Sequence, residues 1–354
     1  CIAELEKPFR DYVALAYILF RILDTIEDYP FAGKNKKDFF DCFHDLLEVN
    51  QSSGDFQNKI EVLRSALKEE RLKHEKILAD NLEKFFSDFH ELPEELKSIL
   101  HSSLVEMSLG MQYFLENSDS DELVLKSHRD LNQYCYFVAG LVGTYLNESY
   151  RYFYGKDLSG EKPTLDLLAI QFGLFLQKVN VLKDQLEDEK IGRKLISDRE
   201  EVVDSLLPLA EKSFQYIKSI SENLSGYRLF CAWSFFLGLA SLPFVQKSFR
   251  ERKEIKLPRI QAWKLLNRVK SALVDNFKLN EIYLELIEPI KSLAEIKNNC
   301  IDKKAANEEK HGKRISSDES TNSVVALLKL RYERFLNIKN PSSLSYREFE
   351  SLGL

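Results

Sequence analysis

Apolar residues recur along most of the chain at the spacing of an α-helix. Ten segments between residues 8 and 298 place apolar side chains at positions i, i+3 and i+4, and an eleventh lies near the C-terminus. We find no alternation of apolar and polar residues that requires a β-strand. The sequence therefore predicts an all-α fold. The predicted helices span residues 8–29, 35–50, 56–88, 93–117, 128–154, 163–196, 200–223, 227–248, 258–276, 279–298 and 322–337.

The pattern changes after residue 298. Residues 299–321 are polar, charged and nearly free of large apolar side chains, which is typical of a flexible linker. We therefore predict a single helical domain over 1–298, a linker over 299–321, and a C-terminal helix and tail over 322–354.

One stretch, Leu229 to Val245, is apolar and uncharged over a length at the lower limit for spanning a bilayer. It contains Gly238 and Pro243, together with two serines. We predict that it forms a buried core helix rather than a membrane span.

Composition narrows the classes of function. The chain has 50 basic and 56 acidic residues, and a net charge of −6 argues against a nucleic-acid binder. Five widely spaced cysteines without a Cys-x-x-Cys pair suggest neither a disulfide framework nor a zinc site, so we expect a reducing, cytoplasmic location. The 24 Phe and 15 Tyr could line an apolar cavity, although core packing is the commoner use.

Two predicted helices each carry a polar stripe. In the first, Tyr17, Arg21, Asp24 and Asp28 share one face, and the residues between them are mostly apolar. Because apolar residues nearly surround this helix, we expect its charged stripe to face a polar cavity within the protein.

The second stripe repeats the acidic spacing. Gln177, Asn180, Asp184 and Asp188 again fall on one face. Two carboxylates at i and i+4 repel each other, so a partner is expected where they are partly buried.

Magnesium is a suitable partner, since it binds through a few carboxylates together with substrate phosphates. Two facing pairs would collect Mg²⁺ to hold a diphosphate, and Arg21, Lys183 and Arg193 could take the remaining phosphate oxygens. The alternative is an ordinary solvated helix face.

A third segment combines an aromatic residue with two glycines in a helical pattern. Tyr134 precedes Gly140 and Gly143. Glycine within a helix indicates either close helix packing or room for a ligand, and both interpretations stay open.

These three segments together resemble the squalene/phytoene synthase family. Arg21–Asp28 resembles its first aspartate-rich motif, Tyr134–Gly143 its central motif, and Gly173–Asp188 with Arg193 its second aspartate-rich motif. The resemblance covers roughly residues 1–298, with a weaker match at 324–336.

The resemblance implies a single-domain isoprenoid-synthase-type helical bundle around a central apolar cavity. It also implies head-to-head condensation of two farnesyl diphosphates through presqualene diphosphate, followed by NADPH-dependent reduction to squalene. Leu141 and Leu186 match the squalene-forming branch of the family. No Gly-x-Gly-x-x-Gly motif is present, so the use of NADPH is implied by the resemblance alone.

The resemblance also implies roles for individual residues. The acidic pairs Asp24, Asp28, Asp184 and Asp188 would hold Mg²⁺. The catalytic residues would be Tyr134, Arg21 and Arg193. The residues expected to bind substrate are Tyr17, Glu27, Val138, Leu141, Gly143, Gln177, Asn180, Lys183 and Glu187. Those expected to bind NADPH are Phe230, Cys231, Lys256 and Arg259.

This sequence departs from the family pattern at several positions. Lys183 stands where arginine is usual, and Pro258 stands where a basic residue is often found. A sister enzyme that makes presqualene diphosphate, dehydrosqualene or phytoene, and a non-catalytic helical scaffold, stay as alternatives. We expect a monomer with peripheral membrane contact, at the endoplasmic reticulum face if the source is eukaryotic.

Overall fold

The structure is a computed structural model that describes residues 1–28, 36–49, 51–67, 76–118, 122–155, 162–222 and 225–305. The chain divides into two compact units, Cys1–Ile287 and Glu288–Leu354. In the second unit only residues 288–305, the end of a helix, are described. The fold and the site below belong to the first unit.

The part of the chain that the structure describes contains twelve α-helices and no strand, and Val124 and Lys194 form an isolated parallel bridge. The predicted all-α fold is therefore confirmed. The helices are α1 (Phe9–Asp28), α2 (Lys36–Glu48), α3 (Gly54–Leu67), α4 (Lys76–His90), α5 (Glu94–Glu116), α6 (His128–Cys135), α7 (Leu141–Tyr154), α8 (Lys162–Asp188), α9 (Arg199–Ser219), α10 (Ser225–Glu251), α11 (Arg259–Ala272) and α12 (Asn276–Ala305).

The two helices that carry the acidic stripes are core helices. α8 packs against α7, α9 and α10, and α1 packs against α2, α4, α5 and α7. Their apolar sides bury large residues such as Ile22 on α1 and Phe175 on α8. Each such side chain contributes roughly 1.5–3 kcal/mol through burial. Packing therefore fixes the backbone on which the polar stripes sit.

The prediction of one helix over 56–88 is wrong. α3 and α4 pack against each other, and Arg64 Nε donates to the Ala79 carbonyl at 3.2 Å. Gln57 Nε2 likewise donates to Glu83 Oε1 at 2.9 Å. The segment contains no Gly or Pro, and both helices keep the same apolar period. Periodicity alone therefore did not reveal that the chain forms two helices packed against each other.

The prediction that a helix continues to residue 196 is also wrong. α8 ends at Asp188, and a 3₁₀ turn over Glu189–Ile191 leads to Gly192. Gly192 adopts φ +87°, a left-handed conformation that glycine adopts without strain. Lys194 then pairs with the segment before α6, where its N–H donates to the Leu123 carbonyl at 2.9 Å. This turn brings Arg193 back toward the end of α1.

A π-helical turn, Tyr136–Gly140, interrupts the helix predicted over 128–154. One glycine on α7 and one on α8 allow α8 to approach this turn and the start of α7 closely. A Cβ on Gly143 would lie 2.2 Å from the Ala169 carbonyl oxygen, and one on Gly173 would lie 2.3 Å from that of Ala139. This contact supports helix packing as a role for Gly143, and its predicted role in substrate binding stays a prediction.

Two helical stretches, Thr164–Ile191 and Ser225–Glu251, are long and apolar enough to cross a membrane by length and composition. In the first, 72 % of the most apolar window is buried inside the protein. The second, α10, packs against α8, α9 and α11. The corresponding window of α10 is 44 % buried, so the core-helix interpretation of Leu229 to Val245 stays a prediction.

The C-terminal predictions are largely outside the described residues. α12 continues to Ala305 and so includes the first residues of the predicted linker. The predicted helix at 322–337 lies beyond the described part. The predicted domain boundaries and the central apolar cavity stay predictions.

We expect Gly143→Ala to destabilise the protein by about 1–3 kcal/mol, because the added methyl group must separate two packed backbones. Urea unfolding followed by circular dichroism measures the change. Gly54→Ala is the matched control, since a Cβ there meets nothing within 4 Å. Equal stabilities for the two variants would contradict this account of the α7–α8 contact.

Burial raises the pKa of Glu106 on α5 to about 7, although the Tyr136 hydroxyl donates to its carboxylate at 3.1 Å. The folded protein holds this proton more tightly than the unfolded chain, so stability falls as pH rises from about 4.5 to about 7. Glu106→Gln cannot ionise. We expect its stability relative to wild type to rise by on the order of 3 kcal/mol across that interval.

The measurement is urea unfolding of both proteins across the same pH interval. Glu95→Gln, an exposed position on the same helix, is the control and should follow wild type. A difference between Glu106→Gln and wild type that stays constant with pH would show that Glu106 does not titrate in this way.

Candidate active site

Arg193 joins the segment after α8 to the C-terminal end of α1. Its guanidinium forms an ion pair with Asp28 and lies 3.9 Å from the Glu27 carboxylate. Only 9 % of Arg193 is exposed. Burial opposes its charge, but the nearby Asp28, Tyr134 and Glu27 raise the pKa of Arg193, so it stays a fixed cation.

Tyr134 on α6 completes this cluster. Its hydroxyl donates to Glu27 Oε2 at 2.8 Å, and Glu27 is 4 % exposed. Burial, and then the adjacent Asp28, raise the pKa of Glu27 well above its usual range, while Arg193 and Tyr134 lower it. Burial also raises the pKa of Tyr134. We call Glu27, Asp28, Tyr134 and Arg193 the Glu27 cluster.

A second cation, which the sequence analysis missed, approaches the same cluster. The Lys36 ammonium, at the start of α2, donates to the Glu27 backbone carbonyl. Burial lowers the pKa of Lys36, against the effect of Glu122 and Glu27. Lys36 follows the first motif across a segment with turn residues, and no spacing rule relates it to the helical stripe, so the sequence pattern offered no signal for it.

The second acidic stripe meets the first at this point. Asp184 and Asp188 are half-buried near the end of α8. Burial raises the pKa of Asp188 to about 6, Arg193 lowers it, and the carboxylates of Asp184 and Asp28 raise it further. Because Asp28 acts on Asp188, the ends of the two stripes lie within electrostatic range of each other.

The other α8 residues predicted for the site lie toward solvent. Lys183 Nζ lies 3.3 Å from the Asp184 carboxylate and donates to Asn180 Oδ1 at 3.4 Å. Gln177 is half-buried, and Glu187 is exposed. Lys183 and Glu187 also line an open surface cavity of about 350 Å³. Its other lining residues are Leu186, Glu189, Lys190, Ser248, Arg252 and Glu254.

The first stripe opens to the surface at both ends, whereas the sequence predicted that it faces a cavity within the protein. Tyr17 is 59 % exposed, and the Asp28 side chain is also exposed. Arg21 and Asp24 are half-buried between them. The buried acid is the neighbouring Glu27, because it lies on the side of α1 that faces α6.

The apolar residues predicted to bind substrate lie at the π-helical turn and the start of α7. Leu141 is buried, and Val138 is half-buried. The substrate-binding role of both residues stays a prediction.

The acidic residues present fit magnesium in their chemistry. Among the described residues, no three His, Cys, Asp or Glu side chains are grouped closely enough to hold a metal ion by themselves. Magnesium does not require such a cage, since it commonly takes one or two carboxylates and completes its shell with phosphate and water oxygens. Mutually repelling, half-buried carboxylates on α1 and α8 suit that mode of binding.

The four residues predicted to bind NADPH do not form one site. Cys231 is buried near the start of α10 beside Tyr227, and Phe230 stacks on the same tyrosine at 6.2 Å. Lys256 and Arg259 follow the other end of α10, about 30 Å away along a helix of that length. The physical reason is that α10 is continuous. Lys256 instead lies within electrostatic range of Glu187 and Asp184.

Comparison with known proteins places this arrangement in a class. Residues 1–200 match the profile of the squalene/phytoene synthase family. The chain is 34 % identical to the squalene synthase of Dictyostelium discoideum over 190 aligned residues. The alignment covers 53 % of this chain and 40 % of that protein. It is 30 % identical to the squalene synthase of Homo sapiens over 195 aligned residues, which cover 54 % of this chain and 41 % of that protein.

The fold agrees with the sequence match. A solved structure of TcSQS in complex with the ligand BPH1237 superposes with a TM-score of 0.58 at 19 % identity, over 82 % of this chain and 93 % of that one. The fold is thus the helical fold of the isoprenoid synthases. The chain belongs to the squalene/phytoene synthase family, and its matched part spans about two fifths of the length of the curated relatives.

We expect Arg193→Met to lower the free energy of unfolding at pH 9 by about 3 kcal/mol, because above its raised pKa of about 8 Glu27 is ionised and would be buried without its cation. Adding Glu27→Gln should recover part of this loss, since a neutral amide needs no counter-ion. Urea unfolding of the single and double variants measures both. Arg250→Met, an exposed control, should be neutral. A double variant less stable than Arg193→Met would show that the two side chains are not coupled in this way.

Proposed function

We propose that the protein condenses two farnesyl diphosphates head-to-head through presqualene diphosphate and then reduces the product to squalene with NADPH. The observation that carries the proposal is the meeting of both acidic stripes at one buried arginine beside a buried tyrosine. Membership of the family supplies the substrate class, and the geometry of these residues supplies the roles below.

The diphosphate of the substrate would lie between the ends of α1 and α8. Asp24 and Asp28 on one side, and Asp184 and Asp188 on the other, would hold magnesium. When bound, magnesium neutralises the charge of the departing diphosphate. Lys183 on the open side of α8 and Arg21 on α1 are placed to hold phosphate oxygens.

Arg193 binds the leaving group from the buried side. Its guanidinium is already oriented by Asp28 and Glu27, so little side-chain freedom is lost when a phosphate oxygen takes a donor. Its Nε–H has no partner among the described residues and is available for that contact.

Tyr134 is placed to steer the proton lost when the cyclopropane ring closes. Its hydroxyl is held by Glu27 at 2.8 Å, at the inner end of the charged cluster. Burial and the neighbouring Glu27 favour the protonated phenol, so Tyr134 holds its proton at neutral pH and directs a hydrogen bond rather than acting as a phenolate. The released diphosphate is the proposed proton acceptor.

The reductive half of the proposal depends on fewer residues. NADPH supplies a hydride when bound. Of the residues predicted to hold it, Lys256 lies within electrostatic range of the second acidic stripe, and Arg259 follows it three residues later. Cys231 and Phe230 are packed at the far end of α10. We therefore propose Lys256 and Arg259 alone for this role.

A sister reaction is the second candidate, because the separated NADPH residues favour an enzyme that stops at presqualene diphosphate or forms dehydrosqualene. We place the protein in the cytoplasm as a monomer that works at a membrane surface.

Product analysis tests the reaction. The protein is incubated with farnesyl diphosphate and Mg²⁺, with and without NADPH, and the extracts are compared by mass spectrometry. Squalene formed only with NADPH is the expected result. The same product with and without NADPH would move the function to the sister reaction, and no substrate consumption by folded protein would overturn the enzymatic proposal.

We expect Asp184→Asn and Asp28→Asn each to lower turnover by about a hundredfold or more, because each removes a charge from the diphosphate site. Asp38→Asn, an exposed position on α2, is the matched control and should keep full turnover. Circular dichroism confirms that all three variants fold. Unchanged turnover in Asp184→Asn and Asp28→Asn would remove the roles proposed for these residues.

A further inference from the structure

The outward side of α11 exposes large apolar side chains. Ile260 is 60 % and Trp263 62 % exposed, and their i, i+3 spacing places them next to each other. Of the ten large apolar side chains exposed in the described part of the chain, five lie between Ile260 and Leu284. Half of the exposed large apolar side chains therefore fall in one short segment, whereas exposed apolar residues on most protein surfaces are scattered singly.

The orientation of α11 is fixed by its inner side. Val269 and Ala272 are buried, and Trp233 of α10 donates its indole N–H to the Leu266 carbonyl at 3.0 Å. The helix therefore cannot rotate Trp263 inward without losing these contacts. We call five of the exposed positions of this helix the α11 face. They are the five around Trp263, which are Ile260, Trp263, Lys264, Asn267 and Arg268; Arg259, Gln261, Lys270 and Ser271 are exposed as well.

The charge around this face is opposite to that of the whole chain. Residues 252–270 contain seven Lys and Arg and a single Glu, while the chain carries a net charge of −6. Arg268 pairs with Glu285 at 2.6 Å and Lys270 with Glu4 at 3.4 Å. These pairs are solvent-exposed, so they leave much of the positive potential in place. Arg259 and Lys264 have no ion pair with a described residue.

We propose that the α11 face docks on an anionic lipid bilayer. The face combines a tryptophan, an aliphatic residue and flanking lysine and arginine side chains on a surface helix. This combination suits the boundary between the headgroups and the acyl chains of such a bilayer. The apolar pair enters the boundary, and the basic residues contact lipid phosphates. This docking requires no substrate, and the five residues of the α11 face are not among those proposed for the reaction, although Arg259, proposed for NADPH, lies next to the face.

Vesicle sedimentation tests the docking with the full chain. We expect binding to mixed phosphatidylcholine–phosphatidylserine vesicles and much weaker binding to pure phosphatidylcholine. The double variant Ile260→Ser/Trp263→Ser should lose at least about tenfold in affinity for the mixed vesicles. Ile77→Ser, an equally exposed isoleucine on α4, should bind like wild type.

A charge variant tests the basic part of the face. Lys264→Glu should weaken binding to the mixed vesicles, while Lys76→Glu, an exposed lysine on α4, should not. Equal loss in both variants would mean that net charge, rather than the α11 face, drives binding, and would overturn the proposal.

The two tryptophans offer a direct readout. Trp263→Phe leaves Trp233 and its bond to α11 in place, so the emission of wild type minus that of Trp263→Phe is the emission of Trp263 on the α11 face. We expect its emission to shift to shorter wavelength and to become protected from a water-soluble quencher when mixed vesicles are added. No shift in a sample that sediments with the vesicles would overturn the proposal. Self-association that is lost in Ile260→Ser/Trp263→Ser, without vesicle binding by wild type, would assign the face to a second copy of the chain instead.

Discussion

The structure of the site depends on the ion pairs that Arg193 makes with Asp28 and Glu27. α1 and α8 share few contacts of their own, and each is held by other core helices. Arg193 stands on the turn after α8 and reaches the last residues of α1, so it links the ends of the two acidic stripes. A buried guanidinium with carboxylate partners is stable only while the partners stay charged or hydrogen-bonded, which makes this cluster sensitive to any change in its members.

The surrounding fold fixes the position of Arg193 between the ends of α1 and α8. Gly192 turns the chain, and the backbone pairing of Lys194 with Leu123 fixes the segment that carries Arg193. Gly143 and Gly173 let α7 and the π-helical turn approach α8 closely. Apolar packing thus fixes the positions of the helices, and a small number of polar contacts then hold the side chains of the site.

The sequence predicted the helices and the two stripes because both depend on local periodicity. It placed Tyr17, Arg21, Asp24 and Asp28 on one face of α1, and the structure agrees. It did not predict that α3 and α4 are separate, antiparallel helices, because the segment 56–88 contains no Gly or Pro. It also did not predict the turn that ends α8 before Arg193. Lys36 and the burial of Glu27 depend on which helix faces which, and neighbours distant in sequence leave no periodic signal. The predicted grouping of Cys231 with Lys256 failed because a continuous helix keeps them apart.

The central claim is that both stripes and Arg193 form one site for a magnesium-bound diphosphate. Isothermal titration of the protein with inorganic diphosphate, in the presence and absence of Mg²⁺, tests it most directly. The account predicts saturable binding that requires Mg²⁺ and is lost in both Arg193→Met and Asp188→Asn. Binding that is independent of Mg²⁺, or that either variant retains in full, would contradict it.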